Sequence, residues 1–182
     1  MTIYHFQKDA ELLRREVLPK KRLFIVDMYN TLSLADSIRG KDFSRHGVAD
    51  FFRGWDKQAV ICSDGDEEKI SNELYEYGLR DFFSKIYGKK SLNRKSNARE
   101  RVFKRYEAIA RVNRFKPEEA IIIEDWNPND HRLARISLDY IIIPSPLSVF
   151  SCIGLDKRHL LREALRNEKR ENGYTFKLLM PE

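Results

Sequence analysis

The sequence predicts an α/β fold, a doubly wound parallel sheet with helices on both faces. Short apolar runs, each long enough for a buried strand, alternate along the chain with longer segments whose apolar residues recur at helical spacing. The short runs are apolar throughout, which is typical of parallel strands that helices cover on both faces. Ligands of such sheets bind at the carboxyl edge, so the residues that follow the strands are the candidate functional residues.

Four apolar runs predict strands, each followed by an acidic residue, a hydroxyl residue or a proline, and a short segment that ends in glycine predicts a brief fifth strand. They cover residues 23–26, 59–62, 85–88, 120–123 and 140–143. Helices are predicted over residues 8–18, 66–78 and 98–113, with one more between 126 and 138. The helix over 66–78 has Ile70, Leu74 and Tyr77 at helical spacing and Gly78 as its stop. Pro19 is expected to end the first helix.

A chain of 182 residues is long enough to bury one sizeable core. We expect one α/β domain over residues 1–150, which begins with the helix over 8–18. A helical extension over 151–182 is expected to pack on the same domain. No apolar run approaches the ~18 residues that span a bilayer, and the first thirty residues lack the pattern of a secretory signal. We therefore expect a cytoplasmic protein without a membrane segment, and a net charge of +6 favours an anionic partner.

Polar residues that carry chemistry follow the predicted strands. Asp27 follows the first strand, Ser63 the second, and Asp125 comes shortly after the fourth. A lysine within 89–95 and the acidic Asp130 lie close to two of these ends. Because the carboxyl ends of parallel strands meet at one edge, we expect these side chains to converge.

Three of these segments resemble the motifs of one enzyme family. Residues 24–32 place Asp27 after an apolar strand and before Thr31, and resemble the first motif of the haloacid dehalogenase superfamily. Residues 60–63 look like its second motif, and residues 121–125 with Asp130 look like its fourth. The resemblance covers roughly residues 22–146. It implies a Mg²⁺-dependent phosphatase in which the carboxylate of Asp27 accepts the substrate's phosphoryl group and forms an aspartyl-phosphate intermediate.

The resemblance also implies roles for individual residues. The candidate catalytic residues are Asp27, Tyr29, Ser63, Lys95 and Asp130. The candidate Mg²⁺ ligands are the carboxylates of Asp27 and Asp125 and the backbone carbonyl of Tyr29. The candidate substrate-binding residues are Thr31, Ser63, Asp64, Lys89, Lys90 and Arg94. Lys95 is favoured as the catalytic lysine over Lys89 and Lys90, because the predicted helix that follows it starts at the distance that the resemblance implies.

Tyr29 departs from the phosphatase pattern. It stands where phosphatases of the superfamily carry a second aspartate as acid and base, and an ordinary tyrosine phenol with a pKa of about 10 is a poor base. Dehalogenases of the superfamily do have tyrosine there. Carbon-halogen hydrolysis and a catalytically impaired binding module therefore remain alternatives.

The intervals between the motifs are too short for a large cap domain. An open site suits a bulky substrate that covers the cleft itself, which favours a large or polymeric phosphorylated substrate. The strongly basic stretch 85–105 predicts a surface for nucleic acid. Arg39, Lys41 and Arg45 lie in the loop after the first motif, where we expect a small flap and contact with substrate.

Overall fold

A computed structural model of the protein describes residues 2–36, 41–92, 105–125, 137–143 and 176–181. The strands within these ranges are β1 Ile3–His5, β2 Leu23–Val26, β3 Ser33–Asp36, β4 Lys41–Ser44, β5 Gln58–Cys62, β6 Phe83–Tyr87, β7 Ala120–Asp125 and β8 Asp139–Ile143. The helices are α1 Ala10–Leu12, α2 Val48–Trp55, α3 Glu67–Glu76, α4 Lys89–Leu92 and α5 Tyr106–Val112. A π-helical turn, Leu13–Val17, and a 3-10 turn, Leu18–Lys20, continue α1.

Six strands form one parallel sheet in the order β1-β8-β7-β2-β5-β6. Strand β2 lies between β5 and β7, and its Val26 is in register with Ile61 on one side and Ile123 on the other. The remaining strands, β3 and β4, form an antiparallel hairpin directly after β2. The parallel sheet confirms the predicted fold class.

Each face of the sheet packs against helices. Phe24 and Val26 of β2 belong to a core cluster with the buried residues of α2 and α3. Leu23 and Ile25, which alternate with them, belong to a second cluster with α5. All four side chains are fully buried, as expected of a central strand that is covered on both sides.

The five predicted strands all form, although β6 is displaced toward the N-terminus relative to the predicted 85–88. The predicted helix over 66–78 is α3, and the Asp66 carboxylate caps it by accepting the N–H groups of Glu68 and Lys69 at 3.0 and 3.3 Å. One expectation was wrong, and one strand was not predicted. The first helical segment continues past Pro19, because proline stands at the start of a 3-10 turn where its missing N–H is not needed. Strand β1 was not expected at all.

Several predicted elements lie partly or wholly outside the described residues. Of the predicted helix over 98–113, the structure describes α5, and the helix expected between 126 and 138 falls almost entirely outside. Of the extension over 151–182, only residues 176–181 are described. Phe176 is buried there between Phe6 and Phe51, and the Trp55 indole N–H donates to the Leu179 carbonyl at 2.6 Å. Among the described helices, none has the length and apolar character needed to cross a membrane.

A buried lysine joins two strands at the amino edge of the sheet, opposite the strand ends discussed below. The ammonium group of Lys21, only 5% exposed, donates to the Asp139 carboxylate and to the Glu118 carbonyl, each at 2.8 Å. Burial by itself raises the pKa of Asp139, but the hydrogen bonds from Lys21 and from the Thr2 N–H outweigh it. The net pKa of Asp139 is therefore lowered.

We expect Asp139→Asn to lower the free energy of unfolding at pH 7 by about 1–2 kcal/mol, a range reduced for the solvent screening of this partly exposed carboxylate. Because the folded-state pKa is lowered, the contribution of Asp139 is present above its unfolded pKa of about 3.9 and is lost as pH falls through the folded-state value. In urea unfolding, the free energy of unfolding of the variant should therefore differ less from that of wild type at about pH 3 than at pH 7. Asp50→Asn, at an exposed site on α2, is the control. An undiminished difference at the lower pH would contradict this account.

Candidate active site

Three neighbouring strands deliver polar residues to the carboxyl edge of the sheet. Asp27 follows β2, Ser63 follows β5, and Asp125 is the last residue of β7. The Asp27 N–H donates to the Ile123 carbonyl at 2.9 Å, which continues the β2–β7 ladder by one residue. The Ser63 N–H likewise donates to the Tyr87 carbonyl of β6 at 3.0 Å. The register therefore brings the predicted nucleophile, hydroxyl donor and metal ligand to one edge, while their catalytic roles remain predictions.

Asp27 and Ser63 are almost completely removed from solvent. Their exposed fractions are 6% and 1%, whereas Asp125 is half-buried. Charges and hydrogen bonds act more strongly in such a setting than in water, because the local dielectric constant is low. The site thus has a buried floor formed by Asp27 and Ser63.

Tyr140 of β8 is influenced by the carboxylates of Glu124, Asp27 and Asp125. Burial is the largest cause that raises the pKa of its phenol well above the ordinary value, followed by the charge of Glu124 and a hydrogen bond to it. The negative charges of Asp27 and Asp125 raise the pKa of Tyr140 further. Both aspartates therefore lie within electrostatic reach of one phenol.

Glu124 is a polar residue of this site that the sequence analysis did not single out. Its Oε2 atom accepts hydrogen bonds from the hydroxyls of Tyr106 and Tyr140, the latter at 2.8 Å. Burial, and then the charge of Glu124, also raise the pKa of Tyr106. One signal was available in the sequence, since Glu124 is a charged residue at the end of a fully apolar strand and beside Asp125. The two tyrosines lie too far from it in sequence for a local pattern to connect them.

The turn after Asp27 folds back onto β7. The Met28 carbonyl accepts the N–H groups of Leu32 and Ser33 at 2.9 and 3.0 Å, and Asn30 adopts a left-handed conformation with φ of 60°. Thr31 is fully buried, and its Oγ1 accepts the Asp125 N–H at 2.8 Å. Thr31 thereby helps to position Asp125, and its predicted contact with substrate remains a prediction.

Tyr29 lies against the loop that follows β5. A Cβ atom added to Gly65 would stand 2.7 Å from Cε2 of the half-buried Tyr29 ring, so only glycine leaves room for this contact. The Lys69 ammonium group lies 5.7 Å from the ring centroid. The predicted role of the Tyr29 carbonyl as a metal ligand remains a prediction.

The loop after β6 contacts the loop after β5 at the carboxyl edge of the sheet. The Lys89 N–H donates to the Gly65 carbonyl at 2.8 Å, and the Lys90 ammonium group lies 4.0 Å from the Asp66 carboxylate. Both lysine side chains are exposed, as is Asp64. The Glu67 carboxylate holds α4 by accepting the N–H and the hydroxyl of Ser91, each at 2.8 Å. Three predicted substrate-binding residues, Asp64, Lys89 and Lys90, are therefore placed beside Ser63 with their side chains open to solvent.

The remaining predicted site residues are Arg94, Lys95 and Asp130, and they lie outside the described residues. Within the described ranges, no group of three or more His, Cys, Asp or Glu side chains is arranged to hold a metal ion. The donors that the edge does supply are the carboxylates of Asp27 and Asp125, with Glu124 beside them. Hard oxygen donors of this kind fit Mg²⁺ in preference to softer metals.

No protein-family model matches the chain, and no protein with a curated description matches it. Solved structures resemble it at low identity. An uncharacterized protein from Listeria monocytogenes serotype 4b is 17% identical with a TM-score of 0.47, covering 82% of this chain and 99% of that one. A 3-deoxy-D-manno-octulosonate 8-phosphate phosphatase from Yersinia pestis is 16% identical with a TM-score of 0.46, over 76% of this chain and 73% of that one.

A third similar structure, from Legionella pneumophila, is assigned to the HAD superfamily, subfamily III A. It is 12% identical with a TM-score of 0.43, over 88% of this chain and 98% of that one. Identities and TM-scores this low assign neither a family nor an activity to this chain.

We expect Tyr140→Phe to lower the free energy of unfolding by about 1–3 kcal/mol at pH 7, because the Glu124 carboxylate loses a hydroxyl donor. The pKa of Tyr140 is raised by folding, so the contribution of the neutral phenol is present below the unfolded pKa of about 10 and is lost as pH rises toward the folded-state pKa. Urea unfolding at pH 7 and above pH ~10 tests this. The free energies of unfolding of wild type and variant should differ less at the higher pH. Tyr75→Phe, at a side chain that is 79% exposed, is the matched control. Equal effects of the two substitutions would contradict the role assigned to Glu124.

Proposed function

We propose that the chain is a Mg²⁺-dependent phosphohydrolase that acts through an aspartyl-phosphate on Asp27. One observation supports this reaction above others. A buried carboxylate follows the central strand, a buried serine follows the strand on one side, and a further aspartate ends the strand on the other side. This is the order that the resemblance to the haloacid dehalogenase superfamily implies.

The reaction assigns a step to each residue. An Asp27 oxygen attacks phosphorus, so a bond from the carboxylate to phosphorus forms while the ester bond from phosphorus to the leaving oxygen breaks. Water then hydrolyses the aspartyl-phosphate, which releases phosphate and restores the carboxylate. Ser63 donates a hydrogen bond to a phosphoryl oxygen, Lys95 supplies a positive charge beside it, and Asp130 orients that lysine.

The carboxylates of Asp27 and Asp125 and the carbonyl of Tyr29 would hold the metal. When bound, Mg²⁺ neutralises phosphoryl charge that would otherwise repel an attacking carboxylate. Thr31 keeps Asp125 in place through the Asp125 N–H, and Ser63 is held by its own backbone bond to β6. The chain thereby fixes the segments that carry Asp125 and Ser63 before any ligand binds.

A large or polymeric substrate fits the open rim. Within the described residues, the hairpin of β3 and β4 is the one insertion between Asp27 and α2. Lys85, Lys89 and Lys90 are exposed along β6 and α4, where an extended phosphate-rich chain would find cationic partners. Nucleic acid is therefore the polymer that we propose. Arg105, at the end of the basic stretch, is also exposed, and residues 93–104 lie outside the described residues.

A binding module without turnover is the second candidate. The turn from Met28 to Ser33 carries no acidic residue, so no carboxylate within it can protonate the leaving oxygen. The half-buried ring of Tyr29 stands there instead, packed on Gly65. Phosphate recognition by Ser63 and the lysines would survive that loss.

We expect phosphatase activity on an aryl phosphate to disappear in EDTA and in Asp27→Asn. The amide keeps the shape of the side chain but is a far weaker nucleophile, so the loss should be at least about 10³-fold. Steady-state release of phosphate measures it. Asp50→Asn, at a solvent-accessible side chain of α2 that is paired with Arg53, is the matched control and should keep full activity.

Other outcomes identify the alternatives. Absence of turnover with every phosphoester, together with RNA binding that weakens steeply with salt, would replace the enzyme by the binding module. Halide release from 2-haloacids without metal would instead indicate a dehalogenase.

We expect Tyr29→Asp to raise phosphatase turnover by about 10-fold or more, because the new carboxyl group can protonate the leaving oxygen and then activate water. The measurement is kcat on the same ester, with circular dichroism to verify folding. Tyr75→Asp, on the exposed side of α3, is the control for an added charge. Unchanged or lower turnover in a folded variant would count against the role assigned to this position.

A further inference from the structure

Arg45 is buried although it is a charged residue. It directly follows β4 at the base of the hairpin, and only 1% of its surface is exposed. It is the largest fully buried side chain among the described residues. The expectation that Arg45 contacts substrate is therefore corrected, since its guanidinium group lies beneath the surface.

The guanidinium group holds the turn that follows Asp27. Its Nη2 atom donates to the Asn30 carbonyl, and the Arg45 backbone N–H donates to the Leu32 carbonyl at 2.7 Å. Asn30 is the left-handed residue of that turn, with φ of 60°, a conformation that asparagine adopts more readily than most residues other than glycine. Arg45 therefore holds the turn at its left-handed residue.

The same turn leads to the carboxylates of the site. Asp27 begins it, and Thr31, the neighbour of Asn30, accepts the Asp125 N–H. A shift of the Asn30 carbonyl would therefore move the Thr31 hydroxyl away from Asp125. The link from Arg45 to both strand ends runs through a single short segment of backbone.

The backbone next to Arg45 is hydrogen-bonded to the core. The carbonyl of His46, the next residue, accepts the N–H of Phe176 at 3.1 Å, and Phe176 is fully buried. The support of the turn is therefore the packed core.

Stability alone does not require a charge at this place. Burying a guanidinium group is unfavourable because the charge loses its hydration, and an apolar side chain of similar volume fills a core at lower cost. A buried arginine that binds a main-chain carbonyl beside a candidate nucleophile has a positional use that an apolar residue lacks.

We propose that Arg45 is a positioning residue of the site, which fixes the turn after Asp27 and through Thr31 the segment that carries Asp125. This role rests on the proposed phosphohydrolase function only for its effect on turnover. Its effect on the turn can be measured without any activity.

The test compares Arg45→Met, which keeps volume without donors, with Arg45→Lys, which keeps a charge and one donor group. In Arg45→Met, kcat on an aryl phosphate should fall about 10- to 100-fold while KM changes less than about threefold, as expected when reacting groups are displaced. Arg45→Lys should recover part of kcat. Arg53→Met, an exposed arginine of α2, is the matched control.

Amide hydrogen exchange provides the second readout. The N–H groups of Leu32, Ser33 and Asp125 should exchange at least about 10-fold faster in Arg45→Met, whereas those of β5 should keep wild-type rates. Unchanged exchange at these three amides, or faster exchange everywhere, would overturn the proposal. Failure of both variants to fold would also overturn it, because Arg45 would then be needed for stability itself.

The two proposals fail separately. A wild-type protein that hydrolyses no phosphoester removes the proposed function, and the exchange rates alone then decide the role of Arg45. A wild-type protein that is active, with kcat unchanged in Arg45→Met, removes the role of Arg45 and leaves the function standing.

Discussion

The position of β2 between β5 and β7 is the constraint on which the site depends. Parallel pairing on both sides fixes the height of every residue of β2 relative to its neighbours, to within a fraction of the rise per residue. The residue that follows β2 is therefore held at the carboxyl edge between two other strand ends. Helices that pack on both faces of β2 keep the strand from slipping, because a shift of one residue would exchange its two apolar faces.

Apolar runs predicted the central strands because these strands are buried on both faces, and burial of that kind needs nothing but apolar side chains. The edge strand β1 escaped prediction for the opposite reason. It has three residues, two of them exposed, and its pairing with β8 depends on contacts across the whole chain. The helical turns around Pro19 were missed because proline is tolerated in the first turn of a helix, where its missing N–H has no partner within the helix.

The candidate site could be predicted as far as strand ends determine it. Asp27, Ser63 and Asp125 needed only the alternation of strands and helices to be placed at one edge. Where a side chain turns is decided by tertiary packing, which local sequence does not carry. Arg45 therefore read as a surface cation, and the hydroxyls that surround Glu124 come from segments that only the sheet brings together.

One layer of the molecule is completed late during synthesis. Phe6 and Phe51 are covered by Phe176, which leaves the ribosome after all strands of the sheet. Until then a nascent chain presents these aromatic rings to its surroundings, which makes it a substrate for chaperones that bind exposed apolar segments. The packing around Phe6 and Phe51 is thus expected to be completed only after residues 176–181 emerge from the ribosome.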